Sequence, residues 1–304
     1  MGRFSYRHSG CDVVSDLELP EWRAFARDDA SAPEEADIRI ALGETLPPAD
    51  VDSDPAIAAD HVRFAIEGAG EWDIAGGSDI AIRPLAAADP AALRLYTLGT
   101  AWGVLGYQRG WAMLHASAVM GPRGAVLFCG PERAGKSTIA AAMAERGCPL
   151  VSDDLSRVVP GRADRPSAIY PSAVRHKLWS DAVDGLALSA REQSRDLVQE
   201  GKFHLPTSRH VALEHPVPLV GIYALRFGEA LAIERETGGD AARMLLAETA
   251  YRPQIVERMG RLAEQGVYAA RIAAGVPIFR LTRPRDLAQV GSVCDAVRAH
   301  MEAS

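Results

Sequence analysis

Gly130-Pro131-Glu132-Arg133-Ala134-Gly135-Lys136-Ser137-Thr138 matches G-x-x-x-x-G-K-[ST], the pattern of a phosphate-binding loop. The residues before it, Gly124-Ala125-Val126-Leu127-Phe128-Cys129, form a short apolar run suited to a buried strand. Those after it, Thr138 to Arg146, are mostly strong helix formers closed by Gly147 at the C-cap position. A glycine-bounded turn between strand and helix is what the chemistry requires. Backbone N–H groups of the loop and the positive helix N-terminus can wrap a polyphosphate there. Residues 130–138 are therefore expected to bind a nucleotide, with Lys136 on the β/γ-phosphates and the Ser137 hydroxyl on Mg²⁺. The bland alternative is a Gly-rich turn after a strand, and the strand–loop–helix context argues against it.

Lysine usage extends the reading. The chain holds three lysines, Lys136, Lys177 and Lys202, against thirty arginines. Lysine is a compact point charge and arginine a planar fork, so the two do not exchange where a cation must fit a tight site. Lys177 and Lys202 are accordingly candidates to face phosphate or substrate. The competing reading is that both are surface residues left over by codon bias. Arg175, in the basic and aromatic stretch Tyr170-Pro171-Ser172-Ala173-Val174-Arg175-His176-Lys177-Leu178-Trp179, joins them as a candidate for substrate or phosphate.

Beyond the loop helix, Cys148-Pro149-Leu150-Val151-Ser152-Asp153-Asp154 reads as an apolar strand ending in paired acids. One carboxylate can hold Mg²⁺ while the other takes the proton of an attacking hydroxyl. A helix N-cap or turn pair is the alternative. His115 lies in Ala112–Val119, a run read as a strand feeding the loop. By itself a histidine there is more often a satisfied core residue.

Composition bounds the rest. The 304 residues are 48% hydrophobic and 24% charged, the net charge is −7 and the pI about 5.7. Such a balance suggests no nucleic-acid partner. The N-terminus lacks a signal-peptide core, and the apolar stretch Leu98–Tyr107 is too short to span a bilayer. Cys11, Cys129, Cys148 and Cys294 are scattered without a CxxC pair and read as buried thiols. A soluble, cytoplasmic protein is expected, with no membrane partner and with self-association left open.

Residues 1–90 read as a β-rich accessory domain. Period-2 strands are expected at 37–43, 61–66, 71–75 and 78–84, with a hairpin at Gly76-Gly77 and a polar loop at Pro47–Pro55. Residues 91–304 read as the catalytic domain, opening with a buried helix over 91–108. Residues 181–198 read as solvated helix and linker. Strands are expected at 218–225, 230–234 and 276–281, and helices at 241–250 (capped by Asp240), 253–265 and 286–301 (capped by Asp286).

Leu114-His115, the phosphate loop, and Glu145-Arg146-Gly147-Cys148-Pro149-Leu150-Val151-Ser152-Asp153-Asp154 together resemble the catalytic domain of HPr kinase/phosphorylase. That family is related to phosphoenolpyruvate carboxykinase and carries a His before its loop and R-G-x-x-L-V-x-D-D after the loop helix. The resemblance implies an α/β fold with a P-loop kinase domain of that type, ATP and Mg²⁺. It implies Asp153 as base, Asp154 nearer the metal, and His115 as an orienting or relaying group. The chain holds no counterpart of the family's E-I-R-G-L-G run, and Pro131-Glu132-Arg133 stands where smaller residues are usual. The helix running into Gln108-Arg109-Gly110-Trp111 and the segments around Lys177 and Gly201-Lys202 are similar to HPr-kinase-like enzymes of peptide-modifying clusters. Among these are lasso-peptide kinases, which phosphorylate a C-terminal serine of the precursor. The expectation is thus a serine kinase acting on a peptide or protein. A small-molecule kinase and a non-catalytic, nucleotide-gated binding module are its rivals.

Overall fold

The computed structural model describes residues 2–28, 35–44, 46, 56–197 and 199–303. The polar loop expected at Pro47–Pro55 lies outside them. The fold is mixed α/β, with several sheets. The chain divides into two compact units, Met1–Met113 with Tyr251–Glu264, and Leu114–Ala250 with Gln265–Ser304.

The first unit is built on a six-stranded sheet in the order Phe4–His8, Cys11–Ser15, Ile38–Leu42, Asp79–Pro84, Gly70–Ala75, His61–Ile66. Alternation decides its inner face: Ile38, Ile40, Val62, Trp72, Ile74, Ile80 and Ile82 are buried. Gly76 and Gly77 both take positive φ, 59° and 69°, as a primed hairpin turn demands. The strands Phe4–His8 and Cys11–Ser15 had no reading from sequence, because polar residues interrupt their apolar pattern.

The helix expected over 91–108 forms as Pro90–Tyr96 and Trp102–Gln108, joined by a wider π-type turn at Thr97–Ala101. Asp89 caps it, accepting from the Ala91 amide at 2.8 Å, with Pro90 in the first turn. It belongs to the first unit rather than to the second, for reasons of packing. The Trp72 indole donates to Thr97 Oγ1 at 2.9 Å, and Trp102 meets Trp22 edge-on with ring centroids 4.8 Å apart. Tyr107 closes the unit across sequence, its hydroxyl donating to Tyr251 O at 2.8 Å and accepting from Tyr251 N at 3.1 Å. The unit therefore extends past residue 90 and takes in 251–264.

In the second unit, strands run in the order Leu150–Ser152, Ser117–Met120, Ala125–Cys129, Val217–Phe227. Val217–Phe227 pairs in parallel with Ala125–Cys129 on one side and Ile278–Arg283 on the other. Ala232–Glu236 adds an antiparallel edge to Ile278–Arg283. A separate antiparallel sheet is ordered Arg175–Trp179, Lys202–Pro206, Ser194–Arg195.

The helix Lys136–Glu145 is buried along almost its whole length, and its alanines let the terminal helix Val290–Ala303 pack closely against it. Gly147, at φ 89°, ends it in a Schellman turn, the Cys148 amide donating to Met143 O at 3.0 Å. Asp286 does cap, accepting from Ala288 N at 2.9 Å, but through a 3₁₀ turn at Leu287–Gln289. Asp240 does not cap: the helix starts at Gly238, and Asp240 sits in its first turn paired with Arg243. The run 253–265 is not one helix but two, Pro253–Arg258 and Leu262–Gly275, with Gly260 at φ 69° between them. All four cysteines are buried, and none is in a disulfide. Among the described residues no helix is long and apolar enough to cross a membrane.

Candidate phosphate-binding and transfer site

The loop 130–135 leaves the carboxyl end of Ala125–Cys129, the end at which parallel strands of open sheets present ligand sites. Its path needs glycine at both ends, with φ 143° at Gly130 and 87° at Gly135. A Cβ on Gly130 would lie 3.1 Å from Leu225 O, and one on Gly135 would lie 2.3 Å from Arg283 Nη2. Arg133 takes φ 62° without being glycine, and its guanidinium lies 4.5 Å over the Trp179 ring. Buried Arg283 braces the loop by donating to Ala134 O at 2.7 Å, and burial pulls its pKa down. As one arginine among thirty, Arg283 gave no sequence signal.

Lys136, in the first turn of the helix, is buried and folds back on the loop. Its Nζ donates to Gly130 O at 3.0 Å and Pro131 O at 3.2 Å. Burial lowers its pKa, partly offset by Asp154. Next to it, the Ser137 hydroxyl donates to Asp153 Oδ1 at 2.8 Å. The same oxygen accepts the Ser117 hydroxyl at 2.6 Å and the Asp154 amide at 3.1 Å, while Oδ2 accepts the Lys177 amide at 2.8 Å. The sequence marks Ser117 only as part of a strand. It reaches the site because Ser117–Met120 lies beside both Ala125–Cys129 and Leu150–Ser152.

Asp154 follows at φ 70°, a left-handed conformation. Its carboxylate lies 3.8 Å from His115 Nε2 and 3.8 Å from Lys177 Nζ. Burial opposes its charge, but Lys177, His115, Lys202 and Lys136 outweigh that and hold its carboxyl below the usual carboxylate range. His115 sits at the break between the strands Ala112–Leu114 and Ser117–Met120, and burial lowers its pKa against the pull of Asp154. All three lysines thus act on one acid. Lys202 Nζ is held by Gln199 Oε1 at 2.8 Å and lies 5.3 Å from the Trp179 ring centroid. Burial, then Lys177, lowers its pKa. Arg175 shares a strand face with Lys177, two positions along. Thr138 is buried inside the helix, and Glu132 meets Gln199 Nε2 at 3.5 Å.

The residues fit a nucleotide and Mg²⁺. The glycines at both ends let the turn take backbone conformations that other residues rarely adopt, and Lys136 is held by carbonyls that a phosphate can replace. Ser137 and Asp153 are adjacent hard oxygen donors. Among the described residues, no group of three or more His, Cys, Asp or Glu could cage a metal. A small donor set suits Mg²⁺, which keeps waters and takes its remaining ligands from substrate phosphates.

His176, one residue from Lys177 but on the opposite, buried face, has neither ring nitrogen hydrogen-bonded. Burial lowers its pKa, against a smaller pull from Asp153. The folded chain therefore holds it neutral where an unfolded histidine, with a pKa of about 6.5, would protonate. Fewer protons bound in the folded state means stability falls as pH drops below about 6.5. In His176→Leu the thermal midpoint should drop less than in wild type between about pH 7 and pH 5. Equal drops in the two proteins would show that His176 does not set the acid limb.

Neither a protein-family description nor a curated protein sequence matches the chain. Among solved structures it is similar to the Hpr(Ser) kinase/phosphatase from Coxiella burnetii at 12% identity, over 62% of this chain and 98% of that one, with a TM-score of 0.27.

Proposed function

We propose that this chain is an ATP- and Mg²⁺-dependent kinase that transfers the γ-phosphoryl group to a serine hydroxyl of a peptide or protein. The C-terminal serine of a lasso-peptide precursor is the acceptor that the sequence resemblance favours. The observation that carries the reading is the contact between the motif serine and the paired acids: Ser137 Oγ on Asp153 Oδ1 at 2.8 Å, with Asp154 beside it among three lysines.

The chemistry follows from how the two acids differ. Asp153 already accepts four hydrogen bonds, so it is suited to orient Ser137 and to share the metal with it. Asp154 is about a third exposed, and His115 and Lys177 both stand 3.8 Å away, so it is the carboxylate that can meet an incoming hydroxyl. This reading exchanges the roles that the family resemblance implied for the pair. The acceptor oxygen attacks the γ-phosphorus, the bond to the bridging oxygen breaks, ADP leaves, and the hydroxyl proton passes to Asp154. Lys136, Lys177 and Lys202 take up the charge that develops on the transferring group. His115 orients Asp154. When bound, Mg²⁺ neutralises charge on the phosphate oxygens.

The test uses γ-labelled ATP, Mg²⁺ and three acceptors: a peptide ending in serine, the same peptide ending in alanine, and free serine. Label is expected on the first alone. Equal labelling of free serine would make the chain a small-molecule kinase. Tight ATP binding without transfer to any acceptor would make it a nucleotide-gated binding module.

A further inference from the structure

One buried acid near the site has no role in the chemistry above. Asp196 follows the short strand Ser194–Arg195, in a segment whose sequence reads as solvated linker, yet its side chain is 0% exposed. Its Oδ2 lies 3.0 Å from Lys177 Nζ and 3.0 Å from His204 Nε2. Its Oδ1 accepts the Gln199 amide at 2.8 Å, and its own amide donates to Lys202 O at 2.8 Å. Gln199, fixed by that turn, takes Lys202 Nζ on its side-chain oxygen at 2.8 Å. Both lysines outside the phosphate loop therefore depend on one carboxylate, Lys177 directly and Lys202 through Gln199.

A competing partner explains why this matters. Lys177 Nζ is also 3.8 Å from Asp154. A lysine stem is flexible and its ammonium seeks the nearest carboxylate. Released from Asp196, Lys177 would close on Asp154, cover the group that meets the acceptor hydroxyl, and cease to face phosphate. A dry, hydrogen-bonded carboxylate fixes a cation far more tightly than an exposed one does.

We propose that Asp196, braced by His204, is a positioning residue that holds Lys177 and Lys202 toward the terminal phosphoryl group of a bound nucleoside triphosphate. The positioning stands on the geometry alone, and its purpose rests on the kinase reading.

The experiment uses the full chain and Asp196→Asn, which keeps the shape and an acceptor for Gln199 N but removes the charge. Lysine-selective carbon-13 labelling at Cε gives three sets of signals, since the chain has three lysines. Lys177→Arg and Lys202→Arg assign them. Lys202 is shifted by the Trp179 ring, and Lys136, clasped by loop carbonyls, is the internal control. In Asp196→Asn the Lys177 signal should move most, as its ammonium leaves residue 196 for Asp154, and the Lys202 signal should follow through the weaker, uncharged acceptor left for Gln199, while Lys136 stays, with no nucleotide added. In parallel, calorimetry should show the variant losing about tenfold or more in affinity for Mg-ATP, the scale of one charge-assisted hydrogen bond, with Mg-ADP nearly unchanged. If Asp196→Asn fails to fold, His204→Gln should move the same two signals in the same direction.

Static Lys177 and Lys202 signals in a folded variant would overturn the positioning role. Signals that move while ATP and ADP weaken equally would overturn the assignment to the terminal phosphoryl group. A wild-type chain that binds neither nucleotide would overturn the kinase reading, and the lysine signals would still decide whether Asp196 positions the two cations.

Discussion

Lys136→Met should lose phosphoryl transfer by about a thousandfold or more, the scale at which removing one preorganised group at a transferring centre is felt. The expectation rests on where the ammonium is parked. Lys136 is buried, with two loop carbonyls as its partners, so its charge is already stripped of much of its water. Exchanging those carbonyls for phosphate oxygens needs no large motion, because the lysine and the loop are adjacent in sequence. Lys136→Arg should fail nearly as badly. A planar fork cannot occupy a space bounded by the carbonyls of Gly130 and Pro131 as a point charge can. Turnover with labelled ATP, together with calorimetry for Mg-ATP, decides the matter. Transfer by Lys136→Met within about tenfold of wild type would remove the phosphate-binding assignment of the loop.

The paired acids give the second large effect, and here the two variants should part company. Asp154→Asn should lower kcat by about a hundredfold to ten-thousandfold, the range for losing a positioned proton acceptor, while leaving the Mg²⁺ concentration for half-maximal rate unchanged. Asp153→Asn should shift that Mg²⁺ requirement upward, because it disturbs the oxygen that fixes Ser137 and Ser117. The carboxamide introduced by Asp153→Asn would also have to present an acceptor to both hydroxyls and to the Lys177 amide. Some loss of thermal stability should therefore accompany the kinetic change. The opposite pattern, a magnesium effect at Asp154 and a pure kcat effect at Asp153, would restore the roles implied by the family resemblance. Since Asp154 is held ionised by the basic groups around it, its variant should show its kcat loss across the whole neutral range.

Arrangement around Asp154 also gives the lysine count a physical reading. Three ammonium groups act on one carboxylate. Burial lowers the pKa of Lys136 and of Lys202, an environment that costs stability and is tolerated where a bound anion compensates for it. Arginine at these positions would bring a fork that needs coplanar acceptors. Lys136 instead meets carbonyls and Lys202 an amide oxygen, each a single-point acceptor.

Local order along the chain was open to the sequence wherever one element decides its own conformation. The glycine-ended turn at residues 130–135 is local: two glycines at positive φ, an apolar strand before and an alanine-rich helix after, all within residues 124–147. The period-2 strands of residues 61–84 and the Asp286 cap are local in the same sense. Asp153 and Asp154 could be singled out because they end a strand one helix after the loop. What tertiary structure alone decided is everything that depends on which strands pair. Ser117 meets Asp153 because residues 117–120 and 150–152 are neighbours in the sheet. Helix 90–108 joins the first unit because Trp102, Trp72 and Tyr107 find partners far away in sequence. Asp196, in a charged stretch that reads as linker, is buried because antiparallel pairing of 194–195 and 175–179 on either side of 202–206 brings Lys177 and His204 to it. A carboxylate's burial and its partners are set by long-range contacts that no window along the chain contains, and so the cation cluster became legible only in the fold.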